Sequence, residues 1–190
     1  MRDVTQVERR IAERLETGDL RGAADESVRG YGQEIAGYLL ALLRDEAAAD
    51  EVFSRVCEKL WLGLPTFRRQ SSLRTWLYRL AWNAARDFQK ERERTPIRAL
   101  RTTEISGIAA DIAASRPPFD RSSFADAFAK LRQSLDPQEQ TLLTLRLHAG
   151  MSWNEIGEVV GSKPAALRKR YERLKARLRE QADAAGLLRR

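Results

Sequence analysis

Arg79, Asn83, Arg86 and Lys90 recur at i, i+4, i+7 and i+11 in the sequence. On an α-helix that spacing places all four on one face. The aromatics Phe67, Trp76, Tyr78 and Trp82 lie in the same stretch. A basic face beside aromatic rings suits nucleic acid, because cations hold phosphates while pockets or stacking surfaces take unpaired bases. A second such set fills residues 151–178, MSWNEIGEVVGSKPAALRKRYERLKARL. There Arg168, Lys169, Arg170, Arg173 and Lys175 share a helix with Ala165, Ala166 and Ala176, whose small side chains allow close approach to a groove. Bond-making chemistry has no comparable candidates. The chain offers no Gly-rich phosphate loop, no metal cluster and no Ser/His/Asp set, so neither enzyme activity nor a cofactor is expected. The single cysteine, Cys57, reads as a small buried hydrophobe, and the single histidine, His148, as a surface residue near a helix end.

Charge placement supports two contacts with a polyanion. The 190 residues carry a formal charge of +7. Residues 162–190 hold ten Lys/Arg against three Asp/Glu, and residues 68–94 hold eight against three, whereas residues 1–67 hold nine against thirteen. The basic excess thus sits in two blocks, each after an acidic or neutral one. No apolar run is long enough for membrane insertion. The stretch MRDVTQVERRIAERLE is charged throughout and does not read as a secretory signal, so a cytoplasmic location is expected.

The elements that must position these residues are all helical. Val7, Ile11 and Leu15 predict a short helix over 5–16 that Gly18 ends. Helices are predicted over 20–43 and 47–62, with Pro65 breaking the chain. Residues 66–72 form a polar loop, and 73–93 reads as one long helix with an apolar stripe of Leu77, Leu80, Ala81, Ala84 and Phe88. Periodicity fades from Thr95 to Ser123, where Pro96, Gly107 and Pro117-Pro118 indicate a flexible linker, with a short helix allowed at 105–114. Phe124, Phe128 and Leu131 resume helical spacing, and Asp136-Pro137-Gln138-Glu139 caps a helix of 137–148. The fold class is therefore all-α: two small helical domains, 1–94 and 124–190, joined by the linker 95–123.

The C-terminal domain has helix–turn–helix logic. Ser152-Trp153-Asn154-Glu155 is a capping box that starts a short helix presenting Ile156, Val159 and Val160. Gly161 is placed to end it in a left-handed conformation, and Ser162 to cap the next helix. Leu167, Tyr171, Leu174 and Leu178 form that helix's core stripe, leaving the basic face to enter a major groove. A merely solvated basic face is the plain alternative for this segment alone.

Taken together, the string SSLRTWLYRLAWN at 71–83 and the segments LDPQEQTLLTLRL, MSWNEIGEVVG and ALRKRYERLKARLRE resemble the bacterial RNA polymerase sigma-70 family, in its extracytoplasmic-function (ECF) group. The resemblance implies a sigma factor whose region 2 binds core RNA polymerase and captures melted −10 bases, and whose region 4 reads the −35 duplex. It places Phe67, Arg68, Ser71, Arg74, Trp76, Arg79, Asn83, Arg86 and Asp87 at the −10 DNA. It places Ser162, Lys163, Arg168, Lys169, Arg170, Glu172, Arg173 and Lys175 at the −35 DNA, and Asp50, Glu51, Arg55, Glu58 and Trp61 at the polymerase. On burial tendency, Trp76 and Trp82 are read as core ahead of base stacking, Trp61 as core or polymerase interface, and Ser71 as a helix cap or base contact. An anti-sigma factor is a further partner the family suggests.

Departures from the family pattern are specific. The polymerase-binding run reads AADEVFSR at 48–55, with Ser54-Arg55 where the family has Gln-Glu. Ala166 and Lys169 replace a common Thr and Ser of the recognition helix. Residues 1–24 have no assigned counterpart. The competing function is a conventional helix–turn–helix regulator that binds duplex DNA without polymerase; an adaptor that binds polymerase without initiating is another.

Overall fold

The computed structural model describes residues 4–94 and 134–184. The chain divides into two compact units, each built of helices with no strand among the described residues. The expected linker, its short helix and the Phe124–Leu131 repeat lie outside the described residues.

The first unit contains α1 (Val4–Glu16), α2 (Leu20–Leu43), α3 (Glu46–Gly63), a 3-10 turn (Leu64–Thr66) and α4 (Leu73–Arg94). Helix α2 is the hub, packed against α1, α3 and α4. Each boundary has a local cause. Gly18 turns the chain at φ +74°, and the Asp19 carboxylate then caps α2 by accepting the Gly22 N–H at 2.8 Å. That bond, and then Arg14, lowers the Asp19 pKa. Arg44, left-handed at φ 57°, closes α2, and Asp45 caps α3. The expected break between the second and third helices thus takes two residues.

Within the segment 1–24, unassigned from the sequence, residues 4–24 prove integral to this unit. Val7 and Ile11 of α1 are buried, and Val7 lies so close to Gly30 of α2 that a Cβ at Gly30 would come within 2.5 Å of its Cγ1. Only glycine lets the two helices meet at that distance.

Arg74 overturns an expectation. It was placed among the −10 contacts, but its side chain is only 13% exposed. Its guanidinium forms an ion pair with Glu34 of α2, donating from both Nε and Nη2. The Tyr78 hydroxyl donates to the same carboxylate at 2.8 Å. Arg74 precedes Arg79 by five positions, which turns it about 140° away from the exposed stripe. The interior claims it because Glu34, half-buried, needs a cationic partner. Burial, then the charge of Glu34, pushes the Tyr78 hydroxyl pKa up, so it stays a donor. Trp82, 2% exposed, belongs to the core as expected. Its Nε1 is buried with no acceptor among the described residues.

The second unit contains α5 (Pro137–Leu143), α6 (Trp153–Val160) and α7 (Pro164–Ala184). The predicted helix over 137–148 holds only in part: from Thr144 to His148 it widens into a π turn, with the Ala149 N–H donating to the Thr144 carbonyl. The predicted capping box forms at Ser152/Glu155, and the predicted Asp136 cap proves to be a full capping box with Glu139. Gly161 ends α6 at φ 70°. Ser162 does not cap α7. Its N–H instead donates to the Gly157 carbonyl and finishes α6. Lys163 accepts the first α7 N–H groups at its carbonyl, and Pro164 opens the helix. Leu167, Tyr171 and Leu174 are buried as the stripe predicts, with Tyr171 edge-on to Trp153 at 5.3 Å.

Arg74→Ala is expected to lower the unfolding free energy of the protein by about 2–3 kcal/mol, since it leaves Glu34 half-buried without its cation. Arg79→Ala, on the exposed face, is expected to change it by less than about 0.5 kcal/mol. Urea unfolding followed by circular dichroism checks both.

Candidate nucleic-acid interface

In the first unit, α4 presents Arg79, Asn83, Arg86 and Lys90 as a continuous exposed face. It can do so because the other side of the helix is fixed inward by Leu73, Leu77, Tyr78, Ala81, Ala84, Ala85 and Phe88. Tyr78 meets Tyr38 of α2 edge-on at 5.3 Å, which sets the rotation of α4 about its axis. The guanidinium of Arg86 lies 5.7 Å from the Trp82 ring. Among the described residues, Arg79, Arg86 and Lys90 form no ion pair, so their charge faces outward uncompensated.

The loop before α4 adds two rings. Phe67 and Trp76 lie 5.0 Å apart at 32°, both half-buried. Trp76 is therefore neither the fully buried core residue expected nor a free stacking platform. Arg68 and Gln70 are exposed and Ser71 is half-exposed. Ser71 does not cap α4. Ser72 does, with its hydroxyl oxygen accepting the Thr75 N–H at 3.0 Å. Asp87 sits at the edge of the face and pairs with Lys59 of α3 at 3.6 Å. The structure thus brings together Phe67, Arg68, Ser71, Trp76, Arg79, Asn83 and Arg86, leaves Asp87 at the margin, and removes Arg74.

The residues expected at the polymerase share one side of α3. Glu51, Glu58 and Trp61 are exposed and Asp50 is half-exposed. Trp61 is 49% exposed and Leu62 66%, so the core alternative for Trp61 does not hold. Arg55 is not a free cation. It donates to Glu51 and Glu91, each at 2.8 Å, and lies over the Phe88 ring. Its unusual identity in the AADEVFSR run is thereby absorbed into a contact between α3 and α4. Ser54 bonds back to the Asp50 carbonyl at 3.0 Å.

In the second unit, α7 sorts its cations. Arg170 pairs with Asp136 at 2.8 Å and also donates to Gln138; Arg177 pairs with Glu139 at 2.6 Å. These two brace α7 against the start of α5, which leaves Arg170 paired and only half-exposed. Lys175 pairs with Glu172 and lies 5.0 Å from the Tyr171 ring. Lys163, Arg168, Lys169 and Arg173 are exposed beside Ala165 and Ala166, with no ion pair among the described residues. Arg146, which sequence reasoning did not single out, donates to the Met151 carbonyl at 2.8 Å and covers the Trp153 ring, fixing the turn before α6.

Burial pushes the Cys57 thiol up to about 11, so it is a poor nucleophile at neutral pH. No described helix is long and apolar enough to cross a membrane. Among the described residues, no cluster of three or more His, Cys, Asp or Glu could hold a metal ion.

Comparison with known proteins agrees with this geometry. Residues 28–95 match the model of Sigma-70 region 2. Over 184 residues the chain is 30% identical to the RNA polymerase sigma-H factor of Pseudomonas aeruginosa, spanning 94% of this chain and 93% of that protein. It is 24% identical to the ECF RNA polymerase sigma-E factor of Haemophilus influenzae, over 86% of this chain and 88% of that one. It shares its fold with the sigma factor RpoE of Bartonella quintana, solved in complex with the anti-sigma factor NepR, at a TM-score of 0.62 and 16% identity, covering 84% and 96% of the two chains. With that identity along nearly its whole length, a matched region 2 and a relative named for the group, this chain belongs to the sigma-70 family of RNA polymerase sigma factors, in the ECF group.

Proposed function

We propose that this chain binds core RNA polymerase and directs it to one class of promoter, with its first unit capturing melted −10 bases and its second reading the −35 duplex. The observation that carries this reading is the exposed Arg79–Asn83–Arg86–Lys90 face, on the helix inside the region 2 match. Three cations with no ion pair among the described residues suit the phosphates of a separated strand, and the Asn83 amide suits the edge of an extruded base. Phe67 and Trp76 provide the neighbouring apolar surface. The chain supplies recognition, while bond formation belongs to the polymerase.

For the −35 element, α7 presents Lys163, Arg168, Lys169 and Arg173 on a face whose alanines allow close approach to a major groove. Arginine and lysine there can reach guanine edges or phosphates. For the polymerase, Trp61 and Leu62 form an apolar patch with Glu58 one turn before them on the same helix, the pattern of an aromatic anchor with a charged neighbour. An anti-sigma factor is a further partner, supported by the complex in which the Bartonella quintana relative was solved. The place of action is the cytoplasm, where promoter DNA and polymerase meet.

Run-off transcription with bacterial core polymerase on genomic promoter fragments tests the whole reading. Discrete new start sites sharing −35 and −10 elements are expected only when the protein is added. A shifted duplex without polymerase, and no transcripts, would instead identify a conventional helix–turn–helix regulator. On the promoter so found, Asn83→Ala is expected to slow open-complex formation about tenfold with core affinity unchanged, from the loss of one base contact. Arg173→Ala is expected to weaken −35 binding by about 1–3 kcal/mol if it meets a base edge. Equal losses on scrambled elements would reduce both residues to backbone contacts.

A further inference from the structure

The matched family region begins at residue 28, so α1 lies outside it. Yet α1 reaches the loop and helix end where a −10 base would be received. The Glu8 carboxylate accepts the backbone N–H groups of Leu73 at 3.1 Å and Arg74 at 2.9 Å, at the first turn of α4. Those are N–H groups that no helix satisfies internally. The Tyr31 hydroxyl donates to the same carboxylate at 2.9 Å and so orients it. Burial, then the charge of Glu8, pushes the Tyr31 hydroxyl pKa up, which keeps it a donor.

Helix α1 also holds the middle of the loop. Arg69 adopts φ +54°, a conformation that a residue with a Cβ keeps only when its surroundings hold it. Its guanidinium pairs with Glu16 at 2.8 Å and donates to the Ala12 carbonyl at 3.0 Å, both on α1. Residues 70–72 are therefore tethered on both sides to a single helix. That helix is itself seated on α2 through Val7 against Gly30. Arg68 and Gln70, on either side of Arg69, are left exposed.

We propose that Glu8 is a positioning residue for −10 recognition: together with the Arg69 tether, it holds loop 67–72 and the first turn of α4 in the arrangement that receives an extruded base. This rests on the −10 reading of α4 given above. Glu8 touches no DNA. It acts through the backbone of Leu73 and Arg74, and it makes α1 a working part of the −10 site rather than a packing extension.

The test uses full-length protein assembled with core polymerase and a fluorescein-labelled non-template strand bearing the −10 element that run-off transcription identifies. Glu8→Ala is expected to weaken capture of that strand about tenfold, and to lower discrimination against a scrambled −10 strand, while affinity for core and for −35 duplex stays within about twofold. Glu8→Gln keeps one acceptor oxygen and is expected to recover most of the discrimination. It carries the test alone if Glu8→Ala does not fold, with a loss of about threefold expected from the removed charge. Wild-type capture and discrimination in both variants, while Asn83→Ala loses them, would overturn the inference and leave the −10 reading standing. Core affinity, duplex affinity and strand capture falling in parallel would also overturn it, because that marks general destabilisation. If Asn83→Ala is inert as well, the −10 reading fails and the inference falls with it.

Discussion

A carboxylate that leaves water must find donors, and that requirement organises the first unit. Glu34 of α2 is met by Arg74 and Tyr78 of α4, and Glu8 of α1 by the backbone at the start of the same helix. Helices α1 and α2 thereby converge on one end of α4. Apolar packing alone would tolerate small rotations of α4, because Leu, Ala and Phe contacts are not directional. The hydrogen bonds are directional. A shift by one residue would turn α4 about 100° and swing Arg74 away from Glu34. The direction in which Arg79, Asn83, Arg86 and Lys90 point is thus a consequence of buried polar pairing on the opposite side.

The second unit reaches the same outcome by a different route. One capping box places Asp136 and Glu139 at the start of α5, where each carboxylate also favours the positive end of the helix. Those carboxylates then draw Arg170 and Arg177 from α7. Cations close to each other along one helix consequently do different work. Arg170 and Arg177 fasten α7 to the domain, and Arg168, Lys169 and Arg173 face outward. In both units, net charge overstates the number of cations offered to DNA, since a share of them is spent within the fold.

Much of this was legible in the sequence, for identifiable reasons. Helices with strong periodicity and caps, such as α2, α4 and α6, follow from local rules, as do the Ser152/Glu155 capping box, the Asp136 cap and the left-handed Gly161. What escaped depends on distant partners or on a choice between neighbours. Arg74 looks like any other arginine in LRTWLYRL until Glu34, forty positions earlier, is brought against it. The role of α1 was unreadable because its key bonds run from a side chain to the backbone of residues 73 and 74, which leaves no pattern in residue types. Ser72 rather than Ser71 caps α4, and Lys163–Pro164 rather than Ser162 opens α7, because two adjacent candidates differ only in where the turn stops. The polar face of α4 was read correctly since exposure on a long amphipathic helix follows from periodicity alone.

In the proposed function, the outward face of α4 meets a separated DNA strand. Photo-cross-linking tests it directly, with a benzoylphenylalanine in place of Lys90 in holoenzyme on its own promoter. A cross-link to the non-template strand within the −10 element, formed only after the duplex opens, is the expected result. Cross-links confined to closed duplex, or to polymerase subunits alone, would contradict it.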